Sequence, residues 1–250
     1  MLLKDEKLEH LGQGIYVITS KEHHFSTDTI LLSNFSNPKR KDRVVEFGSG
    51  CGTISFLWCK NAKPKEIVAV EIQQNACDMI KRSIEYNKLE NYITVINQDL
   101  KHLKGVLPFN TYDLVVCNPP YKIAGTGLLN PSNHHKIARH EVLCTIDDIT
   151  KSASLLLKFG GRFCLCQRTE RLTDVLESFR KANIEPKTLR FVQQRKNKKP
   201  KLFLIEGKKG ANKGGLVILD TLLIEDDNGE FSSEMTSIYG SYKEENIEKI

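Results

Sequence analysis

Asn118-Pro119-Pro120-Tyr121 joins an amide, a stiff turn and an aromatic face in four consecutive residues. That set suits one difficult reaction. An exocyclic amine on an aromatic base is a poor nucleophile, because its lone pair is delocalised into the ring. Two acceptors, the Asn118 side-chain oxygen and the Pro119 carbonyl, would hold both N–H groups and turn the lone pair toward an electrophile. The two prolines fix φ and so preset those acceptors. Tyr121 offers a face on which a flipped base stacks. No general base is strictly needed, since the amine sheds its proton after attack.

A second set lies upstream. Glu46-Phe47-Gly48-Ser49-Gly50-Cys51-Gly52 reads as a glycine-rich turn, where the backbone bends sharply and approaches a nucleotide closely. Glu71 and Asp99 each end an apolar run, and Glu71 is placed to accept from two ribose hydroxyls. A dinucleotide site is one reading, but the G-x-G-x-x-G pattern fails because Thr53 stands at its last glycine. An acidic rim suits a ligand with positive charge and free hydroxyls better than one with a pyrophosphate. S-adenosyl-L-methionine, with its sulfonium and ammonium, is such a ligand.

These residues need strand ends to hold them. Apolar runs predict seven strands, over Arg43–Gly48, Glu66–Glu71, Ile93–Asp99, Tyr112–Pro120, Arg162–Gln167, Thr188–Gln193 and Leu202–Glu206. Amphipathic stretches predict helices over Thr53–Lys60, Gln73–Asn87, Ile146–Lys158 and Glu170–Ala182. Ala76, Ile80 and Ile84 share a face of the second of these, Asp147 is read as the N-cap of the third, and Gly160-Gly161 as its stop. Alternation of this kind predicts an α/β, doubly wound, mostly parallel sheet. Residues 1–35 read as an arm or hairpin packed before it, 36–225 as the main domain and 226–250 as an acidic tail. Residues 121–145 form a long segment without periodicity, directly after the reactive turn.

The ordered set EFGSGCG, VAVE, NQD and VVCNPPY resembles the Rossmann-like class I methyltransferases over roughly residues 42–167. That resemblance implies S-adenosyl-L-methionine as cofactor. It places Glu46, Gly48, Gly50 and Gly52 along the methionine part, Glu71 at the ribose and Asp99 at the adenine amino group, with Ile72 and Asn118 also among the cofactor-binding residues. The whole chain resembles the bacterial tRNA1(Val) adenine-N6 methyltransferases, which modify the adenine just 3′ of the anticodon. The likeness rests on FSTDTILL (Phe25–Leu32), on ARHE (Ala138–Glu141) after the NPPY turn, and on LIEGKKG (Leu204–Gly210). It implies that Thr27 and Asp28 lie against the cofactor and that a valine tRNA is the substrate. The acidic tail departs from the family pattern.

Charge agrees with a polyanionic partner. The formal net charge is +6. Residues 190–213 hold nine Lys or Arg against one acid, whereas 220–250 hold nine acids against two lysines. Arg195, Lys196, Lys198, Lys199 and Lys201, with Arg139 near the reactive turn, are the expected RNA contacts. Seven cysteines without a C-x-x-C pair suggest neither a disulfide framework nor a metal site. The charged N-terminus and the short apolar runs point to a cytoplasmic protein without a membrane partner, acting as a monomer or weak homodimer. Three rivals share parts of this pattern. They are a glutamine-amide methyltransferase acting on release factors, a DNA adenine methyltransferase and a non-catalytic RNA-binding protein of the same fold.

Overall fold

The computed structural model describes residues 2–120, 144–240 and 242. Tyr121 and Arg139 lie outside them, as does most of the long segment after the reactive turn. The chain begins with an antiparallel hairpin, β1 (Glu6–His10) and β2 (Tyr16–Ser20), followed by helix α1 (Thr27–Ser36). Helix α3 (Gln74–Asn87) supplies the free edge of β2 with side-chain partners. The Tyr16 N–H donates to Asn87 Oδ1 at 2.8 Å, Asn87 Nδ2 returns a bond to the Tyr16 carbonyl at 2.6 Å, and the Ile18 N–H donates to Ser83 Oγ at 2.9 Å. Polar groups on a helix thus do the work of a neighbouring strand, and the hairpin is fixed to the domain.

The main sheet is built from β3 (Arg43–Phe47), β4 (Glu66–Glu71), β5 (Ile93–Asn97), β6 (Tyr112–Cys117), β7 (Leu157–Arg168), β8 (Ile184–Gln193), β9 (Leu202–Lys209) and β10 (Val217–Leu223). Their spatial order is β10-β8-β9-β7-β6-β3-β4-β5. Only β9 runs antiparallel to its neighbours. Val44, Val45, Val68, Val70, Leu114, Val115 and Val116 are fully or almost fully buried, as β-branched and leucine-rich strands must be when helices cover both faces. Helix α2 (Thr53–Asn61), with α1, α3 and the short α6 (Ser233–Tyr239), packs one face around Phe56 and Trp58. Helices α4 (Ile146–Leu156) and α5 (Leu172–Lys181) pack the other around Phe163 and Phe179. Strands β4 and β5 step out from β3 in one direction, and β7, β9, β8 and β10 step out from β6 in the other, with β9 inserted between β7 and β8. The reversal between β3 and β6 opens a crevice at their C-terminal ends.

Four local readings need correction. The main sheet has eight strands and not seven, because Val217–Leu223 pairs in parallel with β8. Gly160-Gly161 does not stop a helix. Strand β7 starts directly after α4, and the glycines form an irregularity inside it, Gly160 at φ +73° and Gly161 so close to β6 that a Cβ would stand 3.0 Å from the Tyr112 carbonyl. The cap of α4 is Thr145 and not Asp147. Thr145 Oγ1 accepts from the Asp148 N–H at 3.1 Å while Asp148 Oδ2 accepts from the Thr145 N–H at 2.9 Å, a reciprocal pair that sets the cap two residues earlier than expected. Within the supposed acidic tail, α6 is packed: Met235 is fully buried, Arg190 makes a two-pronged pair with Glu234 at 2.6 and 2.7 Å, and the Tyr239 ring packs tilted against Phe231.

Candidate active site

Strand β3 delivers the glycine turn to the crevice. Gly48 and Gly50 hold φ of +61° and +55°, left-handed conformations that cost an L side chain about 1 kcal/mol or more, so glycine is required by backbone and not by space. Gly52 differs. Its φ is +82°, and a Cβ there would stand 3.1 Å from Ile80 and Phe56, so it faces the core at the start of α2. The sequence placed it beside a ligand; the structure places it behind the turn.

Glu71, at the end of β4, ties this turn to its own strand. Oε2 accepts the Gly50 N–H and Oε1 the Gln73 N–H, both at 2.9 Å, and the residue is buried. Asp99 starts the short turn Leu100–His102. Its Oδ1 accepts the Lys101 N–H at 2.9 Å, and Lys101 Nζ lies 3.5 Å from Oδ2. A cavity of about 400 Å³ opens here, lined by Gly48, Gly50, Glu71, Ile72, Asp99, Asn118, Pro119 and Pro120 among others. Eight expected site residues therefore surround one space. Thr27, Asp28, Glu46 and Gly52 do not line it.

The first turn of α1 nevertheless reaches the reactive turn. Asn118 Nδ2 donates to Thr29 Oγ1 at 3.3 Å, so the amide directs its nitrogen toward α1 and its oxygen to the opposite side of the same plane. Thr27 Oγ1 lies 3.0 Å from the Tyr239 hydroxyl, which links α6 to the same turn of α1. Cys117 and Cys144 also line the cavity, and burial pushes both thiols up, Cys144 to about 12. They are neutral walls at physiological pH and not nucleophiles. Among the described residues no three His, Cys, Asp or Glu side chains gather as a metal site, and no helix is long and apolar enough to cross a membrane.

Glu46 is buried one layer behind the turn. It accepts from the Ser55 N–H at 3.0 Å and from Ser55 Oγ at 2.5 Å. Burial nonetheless pushes its carboxyl up to about 8. In the unfolded chain the same group ionises near 4.5. Its contribution to stability is thus complete below about pH 4.5 and is lost as pH rises through 8. Thermal melting of Glu46→Gln should fall less steeply than that of the native protein between these limits. Parallel melting curves would show that Glu46 is not the group responsible.

The remaining lining was not read from the sequence. Gln98 and Leu100 follow β5, Thr145, Ile146 and Ile149 open α4, Gln167 lies at the end of β7 and Arg171 follows it. All except those of α4 stand just beyond or at a C-terminal strand end, and that position was the available signal. The basic segment forms the end of β8, the turn 194–201 and β9. Lys196, Lys198, Lys199 and Lys201 are exposed on that turn, at the same edge of the sheet as the cavity. Arg195 is ion-paired with Glu225.

Among solved structures, a predicted O-methyltransferase from Agrobacterium tumefaciens superimposes with a TM-score of 0.71 at 16% identity, covering 86% of this chain and 97% of that one. A geranyl diphosphate C-methyltransferase from Streptomyces coelicolor gives 0.53 at 9% identity, covering 72% and 78%. At these identities the likeness is one of fold, and the fold is the Rossmann-like one of class I methyltransferases. The family model of the methyltransferase small domain matches residues 17–192, and this chain belongs to that family. Its curated relatives include the tRNA1(Val) (adenine(37)-N6)-methyltransferase of Parabacteroides distasonis, 26% identical over 85% of this chain and 87% of the relative. The enzyme of that name from Aliivibrio salmonicida is 27% identical over 55% of this chain and 56% of the relative. The chain thus spans little more than half the length of the second of these.

Proposed function

We propose that this methyltransferase uses S-adenosyl-L-methionine to methylate the exocyclic N6 of an adenine in tRNA, the base just 3′ of the anticodon in a valine tRNA. The observation that carries the reading is the placement of Asn118 and Pro119 in the wall of a cavity that also holds Glu71 and Asp99. The donor set fits the cofactor: a buried carboxylate held by two backbone N–H groups would take the ribose hydroxyls, and Asp99 the adenine amino group. The Streptomyces relative is described in complex with S-adenosyl-L-homocysteine. The bound cofactor would supply an electrophilic methyl on a cationic sulfur. The chain's own part is to orient the amine. Asn118, its nitrogen engaged by Thr29, presents its oxygen to one N–H, and the Pro119 carbonyl takes the other. Tyr121 would stack on the flipped base, and Thr27 and Asp28 would border the cofactor.

The substrate is tested directly. Purified protein, methyl-labelled cofactor and unmodified valine tRNA are incubated, and the digested nucleosides are resolved by mass spectrometry. N6-methyladenosine at the position after the anticodon is the expected product. Label recovered only on a glutamine of a release factor, or no turnover with either substrate, would overturn this assignment.

A further inference from the structure

The cavity has two halves of opposite character. Glu71 and Asp99, from the β4 and β5 edge, line one, and Gln167, at the end of β7, and Arg171, just beyond it, line the other. Asn118 follows β6, the strand that lies between them in the sheet. Among the described lining residues Arg171 is the only cation. Its Nε donates to Asp174 Oδ2 at 2.8 Å, and its terminal amino groups bond to no described residue. The guanidinium is therefore anchored on one edge and open on the other, the arrangement that takes a phosphate through two parallel N–H groups.

The turn that carries it, Thr169–Arg171, is bonded to the basic turn between β8 and β9. The Thr169 N–H donates to the Lys201 carbonyl at 3.1 Å, and Thr169 Oγ1 to the Pro200 carbonyl at 3.2 Å. Since β9 is hydrogen-bonded to β7, about 4.8 Å separates the two strands from which these turns spring. Lys196, Lys198, Lys199 and Lys201 are thereby joined to the cavity rim through two hydrogen bonds. The Glu71–Asp99 half disfavours a polyanion, and among the described lining residues Arg171 is the cation that meets one.

We propose that Arg171 grips the phosphate of the target nucleotide, and that Thr169–Arg171 is the bridge by which an RNA strand docked on the basic turn enters the cavity. This rests on the reading of the substrate as tRNA. A phosphate held there sets the nucleotide on the far side of Asn118 from the acidic half, so the base meets the amide from the side that the cofactor does not use. Arg171 is a substrate-binding residue that sequence patterning had no means to single out, because it belongs to no motif and lies outside the basic run.

The test measures binding apart from turnover. Affinity for unmodified tRNA is followed by fluorescence anisotropy across a salt series, with S-adenosylhomocysteine titrated calorimetrically in parallel. Arg171→Ala should bind tRNA about tenfold more weakly, with a salt slope shallower by about one contact and unchanged S-adenosylhomocysteine affinity. Arg171→Gln keeps the stem and a donor for Asp174, and should show the same loss if the alanine variant melts early. Wild-type tRNA affinity and slope in both variants would overturn the proposal. So would a large loss of S-adenosylhomocysteine affinity, which would make Arg171 a ligand of the cofactor carboxylate. An equal tRNA defect in Asp174→Ala would reduce Arg171 to a brace for the start of α5 and also overturn it. Failure of the native protein to bind tRNA would instead bring down the assignment of the substrate.

Discussion

Asn118→Ala is expected to lower methyl transfer to tRNA by roughly 10²-fold or more, the loss that follows removal of one preset transition-state contact. S-adenosylmethionine affinity should change much less, because the task proposed for the residue is to hold the amine. The geometry adds a second variant. Asn118 donates through Nδ2 to Thr29 Oγ1, and its other arm is the acceptor. Asn118→Asp keeps an oxygen toward the amine but gives up the donor toward Thr29, whose hydroxyl must then turn and donate instead. An aspartate should therefore retain more activity than an alanine. Single-turnover rates with saturating cofactor separate these cases. Near-native rates in Asn118→Ala would mean that the amine is held by other groups.

The sheet was legible because its chemistry is repetitive. Valine-rich runs such as Arg43–Phe47 and Glu66–Glu71 are buried on both faces, and the order of runs and amphipathic helices leaves few topologies. Glu71, Asp99 and Asn118 were legible for a related reason: each ends or follows a strand whose C-terminal end faces the crevice. What escaped depends on contacts between distant segments. Gly160-Gly161 reads as a helix stop, yet helix α4 already ends at Leu156 and the glycines serve close approach to β6. Residues 226–250 read as a tail by charge, yet Glu234 within them is the partner of Arg190, as Glu225 just before them is of Arg195. The same pairing gives two cations of the basic strip acidic partners within the chain. Glu46 has the residue type and position of a cofactor ligand, but the alternation along β3 turns it to Ser55 and away from the cavity.

Glu71 is expected to control cofactor affinity more strongly than a simple hydroxyl acceptor would. In the proposed binding mode, removing its carboxylate leaves the ribose hydroxyls without a charged partner, at about 1.5–3 kcal/mol, or roughly ten- to 150-fold in affinity. The structure adds a second loss. Both carboxylate oxygens already accept backbone N–H groups, from Gly50 and Gln73, so the side chain also holds the glycine turn that approaches the ligand. Glu71→Gln tests this separation. It matches the native shape, but its NH₂ must face one of those two N–H groups, donor against donor, and the turn loses a tie whichever way the amide is set. Glu71→Asp keeps the charge but is one methylene short of Gly50. All three variants should therefore weaken S-adenosylhomocysteine binding in calorimetry, with alanine and glutamine both at tenfold or beyond. Their apoproteins should also melt earlier, because two partly buried N–H groups at the turn lose their acceptor or its geometry. An amide that bound the cofactor as tightly as the native carboxylate would show that the hold on the Gly50 turn is dispensable. Native affinity in Glu71→Ala would remove the residue from the cofactor site altogether.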